Sequence, residues 1–180
     1  MNMSEHSSKR IADLNIPLER DVFCRTLIRE LAGTLQDVVG LKESEGFISI
    51  VGKNIGEWIN NTYKSQLKQD KLTREQVIDV LIDLKSRING DFRLIEQDQD
   101  KVVFKNRQCP FEDKVKDRQC MCMMTSNVFG SITANNLGYS KVILEQTIAK
   151  GDEECKVVVH FNRTDEAQAA EGKEYFNLEH

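Results

Sequence analysis

The chain has 180 residues, of which 39% are hydrophobic and 30% charged, with a formal net charge of −4. That length suits one domain with a core of its own, and mixed, net-negative charge argues against a surface built to neutralise nucleic-acid phosphates. No apolar run is long enough to span a bilayer, and Met1–Arg10 lacks a signal-peptide core. The expectation is therefore a cytoplasmic protein with no nucleic-acid and no membrane partner. In a reducing compartment, five cysteines point to buried thiols, metal ligands or reactive groups rather than to disulfides.

Residues 1–16 read as a flexible arm, residues 17–162 as the domain, and 163–180 as a polar tail whose last three residues resemble an expression tag. Pro17 suits the first turn of a helix. Phe23, Leu27, Leu31, Leu35 and Val38 recur at helical spacing, which predicts a first helix over about 18–39, and Gly40 stops it. A second helix is predicted from Phe47 to Leu67 through Val51, Ile55, Ile59 and Tyr63. Its Gly52 and Gly56, one turn apart, imply close approach by another backbone, with tight helix packing favoured over a ligand. Thr73 and Gln76 form a capping-box pattern that starts a third helix, with Val77, Val80, Leu81, Leu84 and Ile88 buried and Asn89-Gly90 at its end.

The period then changes. Phe92–Gln97 and Lys101–Lys105 read as a hairpin, followed by a cysteine-bearing loop over 106–119. Met124, Val128 and Ile132 mark a fourth helix, and Lys141–Ala149 with Cys155–Asn162 form a second hairpin turned at Lys150-Gly151-Asp152. Residues 163–177 read as a marginal helix or a loose tail. Helices, hairpin, helix, hairpin predict an α+β fold: N-terminal helices packed on an antiparallel sheet of two hairpins, with a further helix.

Cys109, Cys120, Cys122 and Cys155 fall on a loop, a helix start and a strand start, which a fold can bring to one point. Thiolates bind Zn²⁺ tetrahedrally, so zinc is the expected cofactor, with Glu145 as a further ligand candidate. Ordinary buried thiols are the alternative, since free cysteine behaves as a small hydrophobe. Strand parity sets His160 on the face opposite Cys155, which makes it a solvated or pairing histidine rather than a ligand. The nucleophile-elbow, phosphate-loop, dinucleotide and zinc-protease signatures are all missing.

Cys109-Pro110-Phe111, the run Cys122-Met123-Met124-Thr125-Ser126-Asn127-Val128-Phe129-Gly130, and Gly151-Asp152 with Cys155 and Val157-Val158-Val159 resemble the methanogen output domain family. The stretches around Gly46-Phe47, Val51-Gly52 and Asp83-Leu84-Lys85 are similar to it as well, so that the likeness spans roughly 18–162. The ending Glu145, Gly151-Asp152, Cys155 is also similar to the 4-vinyl-reductase sensory domain, related in fold to TRAPP subunits. This resemblance implies a sensory or output module of prokaryotic signal transduction. It further implies a zinc held by Cys155, Glu145 and other cysteines; Ile148 stands where the sensory family often has a further cysteine.

Three functions follow. The leading one is a non-catalytic sensory or regulatory domain, a homodimer, signalling to a partner protein and holding a small apolar or aromatic ligand against Phe47, Trp58, Met124 and Phe129. The second is a cysteine-dependent hydrolase of a thiazoline-type or amide substrate, with Cys109 as nucleophile. The third is an interaction module with buried, reduced thiols.

Overall fold

The computed structural model describes residues 15, 16 and 18–177; the expectations for residues 1–14, Pro17 and Leu178–His180 fall outside it. Three helices come first: α1 (Arg20–Val39), α2 (Leu41–Leu67) and α3 (Arg74–Arg87). A hairpin of β1 (Arg93–Gln97) and β2 (Lys101–Asn106) leads through a loop to α4 (Cys122–Leu137). The chain closes with β3 (Tyr139–Gln146), β4 (Cys155–His160), α5 (Asp165–Ala169) and β5 (Lys173–Phe176). The strands form one sheet in the order β1-β2-β4-β3-β5, with every neighbouring pair antiparallel. The expected α+β class and both expected hairpins are present.

Local chemistry accounts for most boundaries. Gly40 has φ +89°, a backbone region that favours glycine, and it alone separates α1 from α2. Thr73 accepts a hydrogen bond from the Gln76 amide at 3.3 Å, while Gln76 Oε1 accepts one from the Thr73 amide at 2.9 Å, which completes the capping box of α3. Asp98 Oδ1 accepts from the amides of Asp100 and Lys101 and so closes the first hairpin.

The core lies between the sheet and the helices. Val77, Leu81 and Leu84 of α3 and Val128, Phe129 and Ile132 of α4 meet Val102, Phe104, Val142, Val157 and Val159 from the sheet. Phe129 stands edge-on to Phe92 and Phe104, with centroids 5.5 and 5.7 Å apart. α4 is buried on both sides, because its opposite face meets α2. There Gly52 and Gly56 face α4: a Cβ at Gly52 would lie 2.8 Å from Asn127 Cβ, and one at Gly56 3.0 Å from Ser131 Cβ. The two glycines serve tight helix packing, as expected.

In three places the structure adds to the expectations or departs from them. The α1 stripe does not enter the core: Phe23, Leu27, Leu31 and Val38 are exposed, Leu35 is half-buried, and the buried residues are Ala32 and Gly33. Periodicity locates an apolar stripe without saying what covers it. α1 is held instead through its other face, where Arg29 donates to the Lys114 and Lys116 carbonyls at 2.6 and 2.8 Å and Arg25 pairs with Glu112 at 2.6 Å. α2 also begins earlier than predicted and buries Ser44, Ser49, Gly52, Gly56 and Asn60, which leaves Phe47 and Val51 exposed. Finally, the segment expected as a marginal helix or a loose tail contributes a short helix, α5, capped by Thr164, and also a strand, β5, which pairs with β3 from Tyr139↔Phe176 to Val142↔Lys173. Four residues carry too little pattern to identify a strand; the free edge of β3 supplies its hydrogen bonds.

The α2–α4 contact is open to a paired test. Gly46→Ala, on exposed helix with nothing within 4 Å of the new Cβ, should stabilise by about 0.5–1 kcal/mol. Gly52→Ala gains the same propensity but presses a methyl into Asn127, with an expected net loss of about 1–2 kcal/mol. Urea denaturation of both variants measures the opposite signs.

Candidate ligand-binding site

Three of the cysteines meet in one pocket. The loop after β2 is turned back by Asp91, whose Oδ1 accepts from the Arg107 and Gln108 amides at 2.9 and 2.7 Å. This brings Cys109 and Pro110 inward, with Pro110 packed over Gly90. The turn between β3 and β4 is closed by Asp152, which accepts from the Thr147 amide at 2.7 Å, and the Ile148 amide donates to Cys155 Sγ at 3.4 Å. Cys122 opens α4. Cys109, Cys122 and Cys155 thus line a cavity of about 30 Å³ together with Phe92, Thr125 and Thr147.

The charged group beside these sulfurs is Lys85, at 5% exposure. Its Nζ donates to Thr125 Oγ1 at 2.8 Å and lies 5.0 and 5.3 Å from the ring centroids of Phe92 and Phe129. Burial lowers its pKa to about 8; the sulfurs of Cys109, Cys155 and Cys122, were they charged, would act in the opposite direction. Burial also raises all three thiols, Cys122 to about 12; Cys122 and Cys155 are raised further by neighbouring cysteines, and Lys85 pulls each thiol the other way by less. Near neutral pH burial therefore favours three protonated thiols lining this cavity, while the Lys85 ammonium lines the cleft next to it.

The five expected ligands do not form one set. Cys120 does not line the cavity; it is buried behind it in a cluster with Val115, Met121 and Ala149, against which Cys109 and Cys122 also pack, its Sγ 3.9 Å from the Ala32 carbonyl. Glu145 is an ion-pair partner of Lys156 at 2.6 Å. Ile148 offers Cys155 a backbone N–H in place of a fourth sulfur. Among the described residues, no three His, Cys, Asp or Glu side chains are arranged to hold a metal ion. His160 is buried rather than solvated; it points away from Cys155 as parity requires, sits opposite Lys101 and Lys141 across the strands, and burial lowers its pKa.

Next to the cysteine pocket, a cleft of about 410 Å³ opens between α1, α2, α3 and α4. Ile28, Leu31, Val51 and Ile88 form its exposed mouth, and Leu84, Lys85, Met124 and Val128 lie deeper. Lys85 is the sole lining residue that is not apolar, and Pro110 and Phe111 border both cavities. Of the four expected ligand contacts, Met124 lines this cleft. Phe129 is fully buried beneath Lys85, Phe47 stands exposed on α2, and Trp58 is 67% exposed beside a shallower hollow with Tyr63 and Arg87. Lys85 was not singled out from the sequence as a site residue. The available signal was its place right after Leu84, on the buried side of α3.

A sheet covered on one face by helices that part around an apolar cleft defines an α+β domain. The chain belongs to the methanogen output domain 1 family, whose sequence profile matches residues 27–160, and so to a class of regulatory output domains. In fold it is similar to the phenol-responsive sensory domain of the transcription activator PoxR, solved with phenol. That match has a TM-score of 0.62 and 14% identity, covering 86% of this chain and 81% of that one. A trafficking protein particle complex subunit 3 from Naegleria fowleri, covalently bound to palmitic acid, aligns with a TM-score of 0.49 and 11% identity over 86% of this chain and 98% of its own. No curated protein sequence matches significantly. Among the described residues, no helix is long and apolar enough to cross a membrane.

Two measurements test the electrostatics. Lys85 holds its proton less tightly when folded, so folding bears the full penalty below about pH 8 and is relieved towards 10.5, where the unfolded chain still keeps the proton. Lys85→Met should therefore stabilise the fold by roughly 1–3 kcal/mol near pH 7, an advantage that shrinks between about pH 8 and 10; urea titrations across that range measure it. For the thiols, Cys24 is exposed and the other four are buried or half-buried. Thiol titration with a chromogenic disulfide at neutral pH should show one fast equivalent, which disappears in Cys24→Ser.

Proposed function

We propose that this domain senses a small, largely apolar molecule held in the cleft between α1, α2, α3 and α4, and that it acts by binding rather than by catalysis. The observation that carries this reading is the cleft itself: about 410 Å³, lined by apolar side chains apart from Lys85, and open to solvent. Family membership among output domains supports a regulatory role. The likeness to a sensory domain solved with phenol supports a small-molecule input on this fold.

The hydrolase reading is weaker on chemical grounds. A nucleophilic cysteine requires a lowered pKa or an adjacent base, whereas burial raises Cys109, Cys122 and Cys155, and His160 is on the opposite face of β4 from Cys155.

The output face in this reading is α1. Phe23, Leu27, Leu31 and Val38 are exposed along it, an apolar surface of the kind that marks protein contacts, and a second copy of the chain is its proposed partner. Leu31 belongs both to this face and to the mouth of the cleft. A ligand that orders the mouth would thereby alter the surface presented to the partner.

A neutral fluorescent probe of apolar sites, N-phenyl-1-naphthylamine, should bind with a stoichiometry of one per chain. Met124→Trp, which fills the cleft, should weaken that binding at least tenfold while leaving the circular dichroism spectrum unchanged. Equal binding by wild type and variant would remove the cleft as the site.

A further inference from the structure

We infer that the ligand of this cleft is an amphiphilic monocarboxylate, an acid with an apolar acyl or arylalkyl body, whose carboxylate meets the ammonium of Lys85. This rests on the cleft reading above and deepens it by assigning the chemistry of the head group.

The argument begins with a missing charge. Lysine is seldom fully buried unless paired, and Lys85 is 5% exposed. Its neighbours are the Thr125 hydroxyl and the faces of Phe92 and Phe129. The ionisable groups acting on it are Cys109, Cys155 and Cys122, with no carboxylate among them. Those thiols remain protonated at neutral pH, since burial is the largest influence on each and outweighs the pull of Lys85. Among the described residues, the ammonium thus faces aromatic rings and a hydroxyl in the wall of the cleft, with no carboxylate acting on it.

The surroundings define what that anion is. Lys85 is the single charged residue of a cleft otherwise lined by apolar side chains, so one negative charge balances the site, and a doubly charged phosphate would bring in a charge with no partner. The path from the mouth to Lys85 runs past Ile28, Leu31, Ile55 and Met124, which favours an apolar body behind the charged head. An alcohol or phenol of the same shape would fill the cleft and leave the ammonium unanswered.

Calorimetric titrations with decanoate and with 1-decanol, on the wild-type chain and on Lys85→Met, test this. Lys85→Met removes a buried charge and keeps the aliphatic volume, so folding is not at risk. The expected result is decanoate binding at least tenfold tighter than decanol to the wild type, with that preference abolished in Lys85→Met while decanol affinity stays within about twofold. Equal affinities in the wild type, or an acid preference that survives in Lys85→Met, overturn the inference and leave the cleft reading intact. Binding of neither probe overturns the inference, and failure of N-phenyl-1-naphthylamine to bind as well overturns the cleft reading with it.

Discussion

The close contact between α2 and α4 determines the rest of the architecture. With only hydrogen at Gly52 and Gly56, the two helices approach until the side chains of α4 touch the α2 backbone. A helix that turns its small residues inward must turn its large ones elsewhere. Val51, Ile55 and Ile59 are accordingly directed towards α1 and α3, where they wall the cleft. The apolar opening is thus a geometric consequence of the glycine contact. Larger residues there would separate the helices and undo the double-sided burial of α4.

The sheet makes the second contribution. β4 lies between β2 and β3, so Cys155 at its start is carried next to the loop that follows β2 and the turn that follows β3. Capping by Asp91 and Asp152 fixes those connections, and the start of α4 adds Cys122. Three sulfurs from distant parts of the chain reach one pocket, and Lys85 of α3 lines the cleft next to it. Burial favours the neutral form of these thiols, and Pro110 and Phe111 join their cavity to the neighbouring cleft.

Much of this was legible in the residues. The capping box at Thr73, the stop at Gly40, both hairpins and the pairing role of the glycines are local events, set by hydrogen-bond stereochemistry and side-chain volume within a few positions. The convergence of Cys109, Cys122 and Cys155 was legible as well. The destination of the α1 stripe was not, since Phe23, Leu27 and Leu31 satisfy the same period whether they meet a core or open solvent. Nor was β5, whose four residues become a strand through the hydrogen bonds that the edge of β3 offers.

By itself the sequence determined the α+β class, the order of the elements and the set of polar and sulfur-bearing side chains available for a site, because those follow from periodicity and short-range geometry. Only the tertiary structure decided which of them meet. It set Cys120 apart, turned Glu145 to Lys156, buried His160 and moved Lys85 from an ordinary helical lysine to the one charge in an apolar cleft. The physical reason is that burial and the loss of a counter-charge belong to the packed surroundings of a residue, and those surroundings are assembled from segments far apart along the chain.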